Sequence, residues 1–265
     1  MTLFTLLLFL VAVLPPSLPQ DDYENKNFED LATTKLSVQE EIVNKHNQLR
    51  RMVSPPGSDL LKMQWSNDVR VNAQRWASQC TYEHSALEAR TTNLICGENI
   101  FMSSYPASWS RAIQTWYDEA KDFRFNSGPK SPNALIGHYT QVVWNTSNQI
   151  ACGVAKCSGE LMQFIYVCHY CPLGNFIRRQ YIPYTIGPPC ALCSDHCDDG
   201  LCKLINIGLY TNKFKGQKGL VHTDNKCEYE DKYSNSAELK ASLTCDYPMV
   251  KQECKATCNC EGKIH

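Results

Sequence analysis

Fifteen cysteines in 265 residues constrain this chain more than any other feature of it. None precedes Cys80, and nine fall between Cys190 and Cys260. Cysteine at this density marks an oxidised, exported protein. The gradient divides it into a moderately crosslinked globular domain and a small tail that depends on disulfides. The count is odd, so at least one thiol lacks a partner within the chain.

The N-terminus agrees with export. Leu3 to Leu14 is apolar apart from Thr5, and Pro15, Pro16 and Pro19 precede the acidic Asp21-Asp22. Such a run is too short for a membrane span but suits a signal-peptide core, although no Lys or Arg precedes Lys26. Residues 1–20 are therefore expected to be removed, leaving a secreted, extracellular protein without a transmembrane segment. What remains suffices for one domain with a real core plus a small satellite. A net charge of −1 gives no reason to expect nucleic-acid binding. The Arg50-Arg51 pair reads as the solvated side of a helix.

Residues 21–36 are polar and read as a loosely held arm. Ser37-Val38-Gln39-Glu40 has the pattern of a capping box, and Ile42, His46, Leu49 and Val53 follow at helical spacing until Pro55-Pro56-Gly57. His46, on the apolar face, reads as a satisfied core histidine. A second helix is predicted from Ser66 to Cys80, with Val69, Ala73, Trp76 and Cys80 on one face. A third runs from Ser108 to Asp122, with Trp109, Ile113, Trp116 and Ala120 inward. Ile150–Cys157 and Gln163–Tyr170 flank Ser158-Gly159-Glu160 as an antiparallel hairpin. The sum is an α+β or layered αβα domain over 37–180, then a Pro- and Tyr-rich linker at 181–189. The remainder has too little apolar material to fold without crosslinks.

His138-Tyr-Thr-Gln-Val-Val-Trp144 and Tyr166-Val-Cys-His-Tyr-Cys-Pro-Leu-Gly-Asn175 resemble the two signature motifs of the CAP superfamily of cysteine-rich secretory, antigen 5 and pathogenesis-related-1 proteins. Cys96-Gly-Glu-Asn99 is similar to a third family motif. Asp199-Gly-Leu-Cys202 and Cys254-Lys-Ala-Thr-Cys-Asn-Cys260 resemble the hinge and cysteine-rich domain of mammalian CRISP proteins, the rodent epididymal and salivary members above all. The resemblance implies an αβα sandwich (the PR-1-like CAP domain), a disulfide hinge at 190–202 and an ShK-toxin-like (ShKT) module at 227–260, with 261–265 as a short tail.

It also implies the bridges Cys80–Cys157, Cys96–Cys171 and Cys152–Cys168 in the first domain, and Cys190–Cys197 and Cys193–Cys202 in the hinge. Cys227–Cys260 and Cys245–Cys258 would close the terminal module. Two departures stand out. Lys203 to Lys226 places 24 residues between Cys202 and Cys227 where the family has three. This insertion is either a new recognition loop or a neutral extension, tolerable because loop closure depends weakly on length. Ser236 stands where the family has the cysteine that would bond Cys254, so Cys254 is the expected free thiol.

The resemblance brings His84, Glu98, Glu119 and His138 together in a central cleft. Imidazoles are good Zn²⁺ ligands, and the carboxylates can ligate, hold a metal-bound water or orient the rings. The alternative is an unmetallated cleft with His and Glu paired to each other. Ser85 could be proposed as a nucleophile, but there is no nucleophile elbow, no HExxH helix and no Cys–His pairing, so the chain does not read as an enzyme. In reproductive CRISPs the motif at Tyr166–Asn175 is associated with sperm–egg interaction. Most of that segment reads as core strand, with His169 as a candidate contact. Asn145-Thr-Ser147 is a glycosylation sequon, which its position just after Trp144 either buries or leaves open to a glycan.

The resemblance thus implies a non-enzymatic secretory protein of sperm maturation, capacitation or gamete fusion, with sperm-surface and egg-surface proteins or other secreted proteins as partners. Alternatives are a calcium-channel regulator acting through the tail, an innate-defence protein and, last, a metal-dependent hydrolase.

Overall fold

The structure, a computed structural model, describes residues 27–159, 161–176, 179–204, 240, 244–246, 248–253 and 255–259. The expected signal peptide, nearly all of the insertion, Ser236, Cys254 and the Cys227–Cys260 pair lie outside these residues.

A four-stranded sheet forms the middle layer. Its strands are β1 (Gln64–Trp65), β2 (Gly97–Ser103), β5 (Gln149–Lys156) and β6 (Phe164–Cys171), in the order β1-β5-β6-β2. β6 runs antiparallel to both neighbours, and β1 joins β5 in parallel. Two short ribbons, β3 (Phe123–Arg124) with β4 (Gly128–Pro129) and β7 (Cys197–Asp198) with β8 (Leu201–Cys202), lie outside it. The helices are α1 (Leu36–Arg51), α2 (Asn67–Ala77), α3 (Trp109–Tyr117), α4 (Gly137–Val142) and, in the tail, α5 (Pro248–Glu253) and α6 (Lys255–Asn259).

The period of two along β6 explains the layering. Phe164, Tyr166, Cys168 and Tyr170 pack with Ile42 and Leu49 of α1 and Trp109, Ile113 and Trp116 of α3. Ile165 and Val167 face the other way, against Ala73 and Ala77 of α2. Both faces of β6 are therefore covered, and all eight of its residues are buried. α2 lies so close to the sheet that a Cβ on Gly153 would meet the Gln74 backbone at 2.3 Å, so only glycine fits there. The αβα sandwich is the architecture expected from the sequence.

Disulfides bind the layers. Cys80–Cys157 joins the chain after α2 to the end of β5, Cys96–Cys171 joins the start of β2 to the end of β6, and Cys152–Cys168 crosses directly opposed residues of the hairpin. Cys190–Cys197, Cys193–Cys202 and Cys245–Cys258 follow in hinge and tail. These six pairings coincide with those the resemblance implies.

Several local expectations need correction. α1 begins at Leu36 with Lys35 at its N-cap and no side-chain cap, so Ser37 lies inside the helix rather than opening a capping box. The preceding chain fixes the start: Leu31 is buried, its carbonyl accepts from Trp109 Nε1, and Gln39 Nε2 donates to Thr33 O. For the same reason the end of the arm is tied down, with Phe28 packed on Phe164. The third helix gives way to a 3₁₀ turn at Asp118–Asp122.

A larger correction concerns Arg50, which is fully buried rather than solvated. Its guanidinium donates from Nε to Leu61 O, from one terminal nitrogen to Val142 O and Trp144 O, and from the other to Asn145 O, at 2.8 to 3.2 Å. Two of these acceptors lie at or just beyond the C-terminus of α4, where carbonyls lack helical partners and the helix dipole favours a cation. Burial lowers the Arg50 pKa to about 9, opposed by Asp59 and Tyr170, so the group stays charged at neutral pH.

The linker at 181–189 is docked on the first domain. Tyr184 is buried with its hydroxyl donating to Pro55 O, and Ser58 N and Gly187 N bond to Thr185 O and Pro56 O. The hinge continues this docking through Cys202 N to Leu60 O and Lys62 N to Cys202 O. Ion pairs Arg51–Asp199 and Lys62–Asp198 add to it. Residues 181–202 thus form a flange on the first domain.

Arg50→Met is expected to lower stability by roughly 3 kcal/mol or more, because it strands several buried carbonyls. Arg50→Lys should recover little of this, since an ammonium cannot span the fork. Urea unfolding with the disulfides intact measures both; a loss below about 1 kcal/mol for Arg50→Met would show the anchor to be dispensable.

Candidate functional site

Glu98, the second residue of β2, has its carboxylate buried beneath the loop that follows α2. Oε1 accepts from His84 Nδ1 at 2.8 Å, Ser85 N at 2.8 Å and Arg90 at 3.3 Å. Oε2 accepts from Ser85 Oγ at 2.7 Å and His169 Nε2 at 2.9 Å. A carboxylate offers about four lone-pair sites, so this one is saturated. Burial alone would raise its pKa, but the bonds from His169, His84 and Ser85 outweigh burial and hold it well below the usual carboxylate range. A carboxylate so held is a weak general base, and Ser85 Oγ spends its proton on it rather than standing ready as a nucleophile.

His169 is correspondingly not an exposed contact. It lies opposite Glu98 in the sheet, on the face turned to α2, and is fully buried. Burial lowers its pKa, against the pull of Glu98 and with a further push from Arg90. The neutral ring donates from Nε2, and its Nδ1 has no hydrogen-bond partner among the described residues. His169 is a positioning residue for Glu98.

The second pair is built on the N-terminus of α4. Glu119 Oε1 accepts from His138 Nδ1 at 2.6 Å, and Oε2 accepts from the backbone N–H groups of His138 and Tyr139 at 2.9 and 3.1 Å. These are N–H groups that the first turn of a helix leaves free. Trp116 stacks on the His138 ring at 6.5 Å between centroids.

Asn99 ties the two halves to the core. Its Nδ2 donates to His138 O and to the Tyr170 hydroxyl. Tyr170 in turn donates to His46 Nε2, and His46 Nδ1 donates to Ile42 O. The carbonyl acceptor fixes the His46 tautomer. Burial, countered by the Ile42 bond and reinforced by Arg50 and Lys45, pushes its pKa down to about 3. His46 is the satisfied core histidine expected from its helix face.

The four residues singled out in the sequence form two carboxylate–histidine pairs, the arrangement the sequence left open as the alternative to a metal site. Among the described residues no three His, Cys, Asp or Glu side chains are arranged to hold a metal ion. Glu98 is saturated by its internal donors, while Glu119 accepts three bonds, and both orient their rings. The ring nitrogens left over are Nε2 of His84, whose side chain is 59% exposed, and Nε2 of His138. Carboxylate-oriented imidazole is a usual form of metal-binding histidine, and each pair offers one ring nitrogen of that kind.

Of the two alternatives for the sequon, the fold favours burial. Asn145 is 8% exposed, its Nδ2 donates to Asp59 at 2.7 Å and its Oδ1 accepts from Arg179 at 2.9 Å. Ser147 is buried and donates to Pro172 O. The folded domain leaves no room for a glycan there.

Three outcomes are expected. Intact mass spectrometry of the secreted protein should find Asn145 unmodified; a glycan at that position would contradict the burial. Glu98→Ala should cost about 3–5 kcal/mol by leaving its buried donors unpaired. Because the pKa of His46 falls on folding, the unfolded chain takes up a proton below pH ~6.5 that the folded protein refuses until about pH 3. Stability is then full above pH ~6.5 and declines by up to about 1.4 kcal/mol per unit as pH falls through that window. His46→Phe should flatten the decline, read as urea midpoints between pH ~6 and ~4; an unchanged slope would assign it to other groups.

Residues 43–170 match the family described as CAP, the cysteine-rich secretory protein family, and residues 217–265 match the family described as Crisp. The chain is 57% identical to "Cysteine-rich secretory protein 1" of Mus musculus and 50% identical to "Cysteine-rich secretory protein 3" of Homo sapiens, over the full length of both partners in each case. It is 44% identical, again at full length, to "Cysteine-rich venom protein helothermine" of Heloderma horridum horridum. Among solved structures, Na-ASP-1 is similar with a TM-score of 0.53 and 31% identity, covering 63% of this chain and 47% of that one. NaASP2 with Zn2+ is similar with a TM-score of 0.52 and 27% identity, covering 63% and 96%. Identity of this order along the whole chain, through sandwich, hinge and tail alike, means that the chain belongs to the cysteine-rich secretory protein family.

Proposed function

We propose that this is a secreted, non-enzymatic interaction protein of the male reproductive tract or exocrine secretions, which binds the sperm surface and acts in maturation, capacitation or sperm–egg fusion. The reading rests on the full-length similarity to mammalian cysteine-rich secretory proteins. The cleft supports it chemically: Glu98 is spent on orienting His84 and Ser85, an arrangement that stabilises a surface rather than one that turns over a substrate. The export signature at the N-terminus and the bridged hinge fit an extracellular setting.

A second reading, ion-channel regulation through the tail, is favoured by the similarity to the venom protein helothermine. It draws as well on the tail's resemblance to channel-blocking toxins. Zinc, where bound, would be held by Nε2 of His84 and His138 in a non-catalytic role. The similar protein NaASP2, solved with Zn2+, supports this, as does the orientation of both rings by their carboxylates.

The readings separate by experiment. The full chain, Glu98→Ala and a tail variant would be assayed for sperm binding and sperm–egg fusion and, in parallel, for calcium-channel currents. Inhibition of gamete binding by the wild type supports the first reading; channel block without gamete binding overturns it in favour of the second. For zinc, calorimetric titration should show at least about tenfold weaker binding in His84→Ala/His138→Ala. Equal binding would place the ion elsewhere.

A further inference from the structure

The described part of the tail is not isolated from the first domain. Val250 of α5 is fully buried, and the cluster that buries it belongs to the first domain: Ile95, Trp144 and Phe176. Leu87, Leu173 and both cysteines of the Cys245–Cys258 bridge pack around this cluster. Lys251 and Gln252, next along α5, are exposed, so the contact is a plug from one side of the helix. Leu87, Leu173 and Phe176 also wall the cleft that contains His84 and Glu98. The seat itself is well fixed: Leu173 N donates to Ile95 O, Trp144 and Phe176 meet edge to face at 5.5 Å, and Arg179 lies over the Trp144 ring.

We propose that the tail is a reversible cap held in cis, with Val250 seated on the Ile95–Trp144–Phe176 patch so that the Val250 face of α5 and this patch cover each other, while the His84–Glu98 cleft that shares Leu87, Leu173 and Phe176 stays open. Full burial of one aliphatic side chain shifts such an equilibrium by about ten- to a hundredfold. That favours the closed form yet lets a partner offering apolar surface of its own open it, because a ligand shifts an equilibrium by its differential affinity for the two forms. The Cys245–Cys258 bridge, packed at the rim, presents Val250 at this seat. The tail and the cleft then share wall residues, so a partner that displaces Val250 alters one side of the cleft as well.

Hydroxyl-radical footprinting of the full-length secreted protein tests this, with the Cys245–Cys258 bridge verified by non-reduced peptide mapping. In Val250→Asp, labelling of Ile95, Leu173 and Phe176 should rise several-fold over wild type, while Val250→Ile should keep the wild-type protection. Leu87→Asp, which alters the rim and leaves the tail sequence intact, should raise labelling of Val250 itself, so the proposal does not depend on one variant folding. Wild-type protection should not change on dilution. Unchanged labelling in both aspartate variants, or protection that falls on dilution as in a contact between two chains, would overturn it.

Discussion

One buried cation holds the architecture in register. The guanidinium of Arg50 reaches from the last turn of α1 to the carbonyls of Leu61, Val142, Trp144 and Asn145. It thereby joins the helix on one face of the sheet, the segment leading into β1 and the end of α4. These carbonyls lie at a helix terminus and in connecting segments, where regular bonding ends, and Asn145 O also accepts from Leu61 N. The fork thus holds the C-terminal end of the helix whose first turn carries the Glu119–His138 pair. The same end of α1 carries Arg51 to Asp199, so adjacent arginines bind the core and the hinge flange.

The fold is largely legible in the sequence because its signals are periodic. Trp109, Ile113 and Trp116 on α3, and Val69 and Ala73 on α2, point inward as their spacing predicts. The hairpin of β5 and β6 lies within one residue of its expected bounds. Arg50 escapes such a reading because nothing local distinguishes a buried arginine from a solvated one. Its partners are backbone carbonyls from distant parts of the chain, which leave no trace in side-chain pattern. The linker at 181–189 escapes it for a related reason, since Pro- and Tyr-rich composition looks the same whether its carbonyls meet water or a neighbouring loop.

The site is legible as a set of residues and not as a geometry. His84, Glu98, Glu119 and His138 can be carried over by motif, but how each carboxylate spends its lone pairs depends on Ser85, Arg90, His169 and the α4 backbone. Of these, His169 carries a usable signal: it lies in a strand whose neighbours are apolar on both sides, a pattern of double-sided burial rather than exposure. The result is a division of labour in which the glutamates aim the rings and the histidines keep one nitrogen each for whatever enters the cleft.

The strand β6 has a consequence of an immunological kind. Its eight side chains are all enclosed, and it carries a cysteine bonded to β5 and another bonded to the start of β2. The segment that most plainly marks the family is thus hidden from any macromolecule approaching the native protein. Antibodies raised against a linear peptide of Phe164–Cys171 would read denatured protein on a blot and pass over the folded molecule in serum or on a cell. Those elicited by the native protein would instead map to its loops, flange and tail.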